Sequence, residues 1–108
     1  MRRQGVVYVG SYQRAGRLLP RRAAGLRAGV VVLRPGEVMP WHSTKSREEL
    51  LVALRGSLRV EVRRSRRMRQ MSLKSGHCLL LPRQTLHCVV NRSRKNAQYI
   101  YVTGVLER

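Results

Sequence analysis

The chain has 108 residues, of which 43% are hydrophobic, and its 23 basic and five acidic side chains give a formal net charge of +18. This length suits one compact domain with a single core. No apolar run approaches a membrane span, and the one after the basic start, residues 6–9, is too short for a signal peptide. Two cysteines, Cys78 and Cys88, therefore predict reduced thiols in a cytoplasmic protein, with a disulfide across the intervening turn as the alternative.

The charge predicts a surface that binds polyanions at low salt without sequence preference. Its densest stretch is residues 59–69, with six arginines. This stretch either contacts nucleic acid or is a solvated hairpin whose arginines reflect composition. We favour the solvated hairpin, because the chain has no helix-turn-helix pattern, no zinc-finger spacing and no aromatic platform for stacking bases.

The first third of the chain predicts two strands joined by a loop. The apolar run at residues 6–9 is typical of an edge strand, and residues 10–27 predict a loop with at most one helical turn, since Pro20 interrupts any longer helix. Residues 28–34 predict a strand that ends at a Pro-Gly turn. We therefore expect residues 1–27 to form an N-terminal edge strand and loop that pack on a barrel formed by residues 28–108.

The rest of the chain alternates short strand-like runs with Gly, Pro and polar turns. Strands are predicted over residues 38–44, 50–54, 58–63, 68–73, 78–81, 86–91 and 98–106. This spacing favours an all-β sandwich or barrel. The run at residues 50–54 is apolar on both faces, so we expect its outer face to be covered by a second subunit, as in a homodimer, or by the N-terminal segment.

Two blocks place polar residues inside this apolar sequence at regular spacings. The first runs from Gly36 through His42, Thr44 and Glu49 to Gly56, and the second from Gly76 through Pro82 and His87 to Asn91. Buried imidazoles and carboxylates are costly unless they are paired or bind a metal. The blocks therefore indicate a polar site within the core.

The two blocks, G-x5-H-x-T-x4-E-x6-G and G-x5-P-x-Q-x2-H-x3-N, resemble the two motifs of the cupin superfamily. They depart from those motifs at Thr44 and Gln84, where the family has His and Gly. The resemblance covers residues 36–91 and implies a double-stranded β-helix, or jelly roll, in agreement with the strand prediction. It implies His42, Glu49 and His87 as metal ligands, the spacing to Gly56 selecting Glu49 over its neighbour Glu48.

Two imidazoles and one carboxylate suit non-haem iron and are tolerated by zinc or manganese. We expect Thr44 to supply a weak oxygen ligand in the fourth position or to bind a coordinated water. The pocket candidates outside the triad are Trp41, Gln84, Tyr99 and Tyr101.

Three functions remain open, because this fold hosts enzymes, sensors and storage proteins. The leading one is a small single-domain cupin whose divalent-metal pocket binds or acts on a small molecule. The second is a non-catalytic, metal-free cupin that serves as a ligand-binding or structural module. The third is a basic nucleic-acid-associated protein on a cupin scaffold. The sequence assigns no catalytic residue.

Overall fold

The computed structural model describes residues 7–105, which form nine β-strands and no helix. The strands are β1 (Gly16–Arg17), β2 (Leu26–Leu33), β3 (Val38–Ser43), β4 (Arg47–Arg55), β5 (Ser57–Arg64), β6 (Arg67–Lys74), β7 (Cys78–Leu81), β8 (Leu86–Val90) and β9 (Ala97–Val105). Over the described range, therefore, no helix is present that could cross a membrane.

The strands form two antiparallel sheets that enclose one core. One sheet has the order β1-β2-β9-β4-β7 and the other the order β3-β8-β5-β6. Strand β5 illustrates the alternation: Leu58, Val60 and Val62 are buried in the core, while the residues between them point outwards. The all-β prediction is confirmed.

The N-terminal edge strand lies elsewhere than predicted. Residues 7–9 of the predicted strand are not in a strand, and Val6 lies outside the described residues. Val7 and Val9 are each 90% exposed, so this run gains no buried face. The edge strand is Gly16–Arg17, which pairs with β2. The division of the chain at residues 27 and 28 stays a prediction.

The side of the five-stranded sheet that points away from the core is here called the outer sheet face. Most outward positions of this face are uncharged, and its one basic residue on β2, β9, β4 and β7 is Arg55, which is paired with Gln98 at the end of β4. The other outward positions are Leu26, Ala28, Val30, Val32, Glu48, Leu50, Val52, Leu54, Cys78, Leu80, Gln98, Ile100, Val102 and Gly104. In a chain with 23 basic residues, this face is therefore distinct in charge.

The N-terminal segment covers part of the outer sheet face. Val30 is only 3% exposed although it points outwards, and the Gln98 amide donates a hydrogen bond to the carbonyl oxygen of Tyr12 at 3.3 Å. The part formed by β4 and β7 remains open, with Leu50 37% and Leu80 59% exposed. The N-terminal segment thus lies over β2 and β9, and the cover expected over residues 50–54 on β4 stays a prediction.

The two cysteines lie on different sheets and are both free. Cys78 is exposed on β7, whereas Cys88 is buried on β8 with its sulfur 3.9 Å from Glu61 Oε1. Burial raises the pKa of the Cys88 thiol. The disulfide considered as an alternative is not formed.

Candidate metal centre

A β-bulge in β3 directs His42 into the barrel. Met39 pairs with Val89 and His42 pairs with His87, so three steps along β3 match two along β8. Because side chains alternate along a regular strand, Met39 and His42 would otherwise face opposite sides. With the extra residue, both line the same cavity.

The two histidines of the centre present the same ring nitrogen. Their rings lie with centroids 4.2 Å apart, on directly paired positions of β3 and β8. His42 Nδ1 lies 2.8 Å from the carbonyl oxygen of Pro40, and His87 Nδ1 lies 3.3 Å from that of Thr85. A carbonyl oxygen only accepts, so each Nδ1 carries the proton and each Nε2 keeps a free lone pair. Both imidazoles are thereby arranged as Nε2 ligands.

Glu49 reaches the histidines from the opposite sheet. Its Oε1 lies 3.7 Å from His87 Nε2, and one ligand atom from each of His42, Glu49 and His87 lies within 4.8 Å of the others. Burial raises the pKa of Glu49 and lowers that of His87. The charged forms are thus disfavoured in the metal-free site, and a bound cation would offset that cost. Two imidazole nitrogens and a carboxylate fit a divalent transition metal.

The centre lies at the base of a solvent-open cavity of about 1100 Å³. His42, Thr44 and Glu49 line it, together with the predicted pocket residues Tyr99 and Tyr101. His87 is 1% exposed and lies against the His42 ring. The structure therefore gathers most of the predicted site residues around one space.

Two of the predicted pocket residues are elsewhere. Trp41 follows Pro40 in the bulge and is 45% exposed on the surface, because the bulge that turns His42 inwards turns its neighbour outwards. Gln84 is an exposed turn residue with φ of 55°. That left-handed conformation explains why the family motif has glycine at this position. Neither residue lines the cavity.

The Thr44 hydroxyl has two protein partners. It donates to the carbonyl oxygen of Pro82 at 2.7 Å and accepts from the backbone N–H of Thr85 at 3.0 Å. Thr44 thus joins the end of β3 to the turn that precedes β8, and β8 is the strand that carries His87. One lone pair of the hydroxyl remains, so binding of a coordinated water stays a prediction, now secondary to this structural role.

Replacing Thr44 with Val is expected to lower the free energy of unfolding by about 1–3 kcal/mol, because the buried N–H of Thr85 loses its acceptor. Thr44→Ser keeps the hydroxyl and is the matched control. Urea denaturation of the three metal-free proteins measures the effect. Equal stability of the Val and Ser variants would contradict the structural role of the hydroxyl.

Sequence reasoning missed the cations of this cavity. Arg17, Arg21, Arg27, Lys45 and Arg47 all line it. They come from two separate parts of the chain, residues 17–27 and residues 45–47, so no single motif unites them. The only available signal was alternation on β4, which places Arg47 on the same face as Glu49.

The fold and site define an antiparallel β-barrel with a two-histidine, one-carboxylate group at the base of an open cavity. The sequence model of the Cupin domain family matches residues 29–103, more than half of the chain. The chain therefore belongs to the cupin superfamily, as its two motifs predict. None of the curated proteins compared with it matches its sequence.

Solved structures share this fold at low sequence identity. The Schizosaccharomyces pombe Cnp3 cupin domain has a TM-score of 0.73 and 18% identity over 85% of this chain and 60% of that one. An oxalate oxidase has a TM-score of 0.71 and 20% identity over 75% of this chain and 42% of that one. A Cupin 2 conserved barrel domain protein from Salinispora arenicola CNS-205 has a TM-score of 0.70 and 24% identity over 84% and 74%. The chain spans less than two thirds of the length of the first two.

Proposed function

We propose that this cupin binds one divalent transition metal through His42, Glu49 and His87, and a small molecule in the cavity above it. The observation that carries the proposal is the convergence of these three side chains from two sheets to within 4.8 Å. The Nδ1 hydrogen bonds to backbone carbonyls support it, because they leave both Nε2 atoms free for an ion. When bound, the ion would supply Lewis acidity or a site for an exogenous ligand.

The test is a titration of Fe²⁺, Mn²⁺ and Zn²⁺ into metal-free protein by calorimetry, with elemental analysis of the untreated protein. We expect one ion per chain for the wild type. His42→Ala, at an exposed position, is expected to weaken binding by about a hundredfold or more, because one of three ligands is lost. His77→Ala removes an exposed histidine outside the cluster and is the matched control.

Wild-type binding below one ion per chain, or equal affinity of the His42→Ala and His77→Ala proteins, would contradict the metal proposal. That outcome would favour the second candidate, a metal-free ligand-binding or structural module. Structural similarity leaves both classes open, since the related structures include an oxalate oxidase and the Cnp3 cupin domain. Catalysis is not assigned to either candidate.

We also propose that a second copy of the chain covers the open part of the outer sheet face. Two copies of a chain with net charge +18 repel each other, and this face has a single arginine on β4 and β7, Arg55, which is paired with Gln98 at the end of β4. Its exposed Leu50 and Leu80 supply apolar area for the contact.

Light scattering after size-exclusion chromatography is expected to find a wild-type dimer. Leu80→Glu is expected to be monomeric, because it places a charge in the apolar contact. Leu86→Glu, at a 40% exposed leucine of the other sheet, is the matched control and is expected to stay dimeric. A monomeric wild type at high micromolar concentration would contradict the proposal.

Two further proposals concern the binding of polyanions and the cellular location of the protein. The arginines at residues 63–69 are exposed on and beside the β5–β6 turn, which supports non-specific binding of polyanions at low salt rather than a nucleic-acid-specific function. Free Cys78 and Cys88 support the proposal of a cytoplasmic location.

A further inference from the structure

The lining of the cavity carries several positive charges and few negative ones. Five of its lining residues are cationic, namely Arg17, Arg21, Arg27, Lys45 and Arg47, and its one acidic lining residue is Glu49, which belongs to the metal centre. Among residues 7–105, no carboxylate forms a salt bridge with any of the five; the ion pairs there are Arg34–Glu37 and His87–Glu49. Positive charge at the rim of a concave site attracts anions into it.

Strand register directs two of these arginines towards the metal centre. Arg47 lies two residues before Glu49 on β4, so its side chain leaves the same face of the sheet roughly 7 Å further along the strand. Arg27 lies in one cross-strand row with Thr103 and Glu49. Both arginines thus flank the approach to the centre, on the side formed by the five-stranded sheet.

The Arg47 guanidinium is held in place by the protein. Its Nε donates to Thr103 Oγ1 at 2.8 Å, and its Nη2 donates to the carbonyl oxygens of Thr103 at 3.2 Å and Gly25 at 3.4 Å. The Nη1 group has no hydrogen-bond acceptor in the part of the chain that the structure describes. Immobilising an arginine side chain costs conformational entropy, and here two of its N–H donors are left for a ligand.

We propose that Arg47, assisted by Arg27, binds a carboxylate group of a small organic anion in the mouth of the cavity. A guanidinium binds a carboxylate through charge-assisted hydrogen bonds, and a fixed one loses little entropy on binding. An anion held there lies over His42 and Glu49, so the subsite would orient a ligand towards the metal centre. In that role it rests on the proposed function, but the subsite itself can be measured without metal.

The test is calorimetric titration of succinate and of inorganic phosphate into metal-free protein at several salt concentrations. We expect one succinate per chain, and weakening of about tenfold or more in Arg47→Gln, as for the loss of a charge-assisted pair. Arg27→Gln, at an exposed side chain with no hydrogen bond that holds the fold, is expected to weaken binding about two- to threefold and guards against misfolding of the first variant. Arg94→Gln, at the opposite end of the barrel, removes the same charge and is expected to bind as the wild type.

Equal weakening by Arg94→Gln and Arg47→Gln would overturn the proposal, because net charge alone would then explain the result. Unchanged binding in Arg47→Gln would also overturn it, because Arg47 would then not contact the anion. Tighter binding of phosphate than of succinate would overturn the assignment to a carboxylate. Succinate and metal ions are titrated separately into the same wild-type protein, so the failure of one proposal is distinguishable from the failure of the other. Retained succinate binding without metal binding would refute the proposed function and leave this inference standing.

Discussion

Glu49→Gln is expected to stabilise the metal-free protein and to abolish tight metal binding. In the metal-free site, burial disfavours the charged form of Glu49 and raises its pKa. A neutral amide of the same shape removes that cost, so the free energy of unfolding should rise by about 1 kcal/mol or more. With metal present the order reverses, since the wild type gains about 2.7 kcal/mol at a hundredfold excess over Kd and the variant gains almost nothing.

The pH dependence of this difference has a definite sign. The pKa of Glu49 is raised in the folded protein. Protonation of this carboxyl therefore stabilises the fold fully below the ordinary pKa of 4.5, and this contribution is lost as pH rises through the raised pKa. The variant's advantage should therefore be absent below pH 4.5 and should grow as pH rises through the raised pKa. His87, with its lowered pKa, destabilises both metal-free proteins as pH falls below 6.5.

Thermal unfolding of both proteins, with chelator and with excess Mn²⁺, measures these effects between pH 4 and pH 8. Glu48→Gln, at the neighbouring residue on the outer sheet face, is the matched control and should show neither change. A metal-free Glu49→Gln protein less stable than the wild type at pH 7 would show that the carboxylate has a favourable partner. The interpretation of Glu49 as a metal ligand whose charge has no partner in the metal-free protein would then be wrong.

Gly56→Ala is expected to lower the free energy of unfolding by about 3 kcal/mol or more, as the sum of a backbone cost and a steric cost. Gly56 has a φ of 79°, a conformation that costs an alanine about 1–2 kcal/mol. A Cβ there would also lie 2.8 Å from the carbonyl oxygen of Asn96 and 2.9 Å from the Cα of Ala97. Both are backbone atoms at the start of β9, so relief requires β9 to move within the sheet.

The control for Gly56 is the other glycine of the first motif. Gly36 has a φ of 86°, but a Cβ there meets no atom within 4 Å. Gly36→Ala should therefore lose only the conformational term, about 1–2 kcal/mol. Urea denaturation of the two variants measures the difference. Equal losses would show that the β9 contact is unimportant and that left-handed backbone alone explains both glycines.

The motif spacings predicted much of the candidate metal centre, because each motif relates residues within one short stretch of chain. The spacing to Gly56 selected Glu49 over Glu48, alternation allowed only one of the two to face inwards, and the structure buries Glu49. The second motif also contains residues whose role is structural. Buried Asn91 donates to the carbonyl oxygens of Leu33 and Lys95, which joins the end of β8 to its neighbours. Spacing alone does not distinguish such a residue from a ligand.

Alternation and turn residues were sufficient to predict an all-β chain, because strands and turns depend on local periodicity. The three candidate ligands came from the resemblance of the two motifs to those of the cupin superfamily. Tertiary structure decided that Trp41 faces outwards beside the inward-facing His42, because the bulge depends on pairing with β8. It also decided that Thr44 is hydrogen-bonded to Pro82 and Thr85, and that five cations surround one cavity. These are contacts between residues far apart in the chain, and they exist only once both sheets have closed around the core.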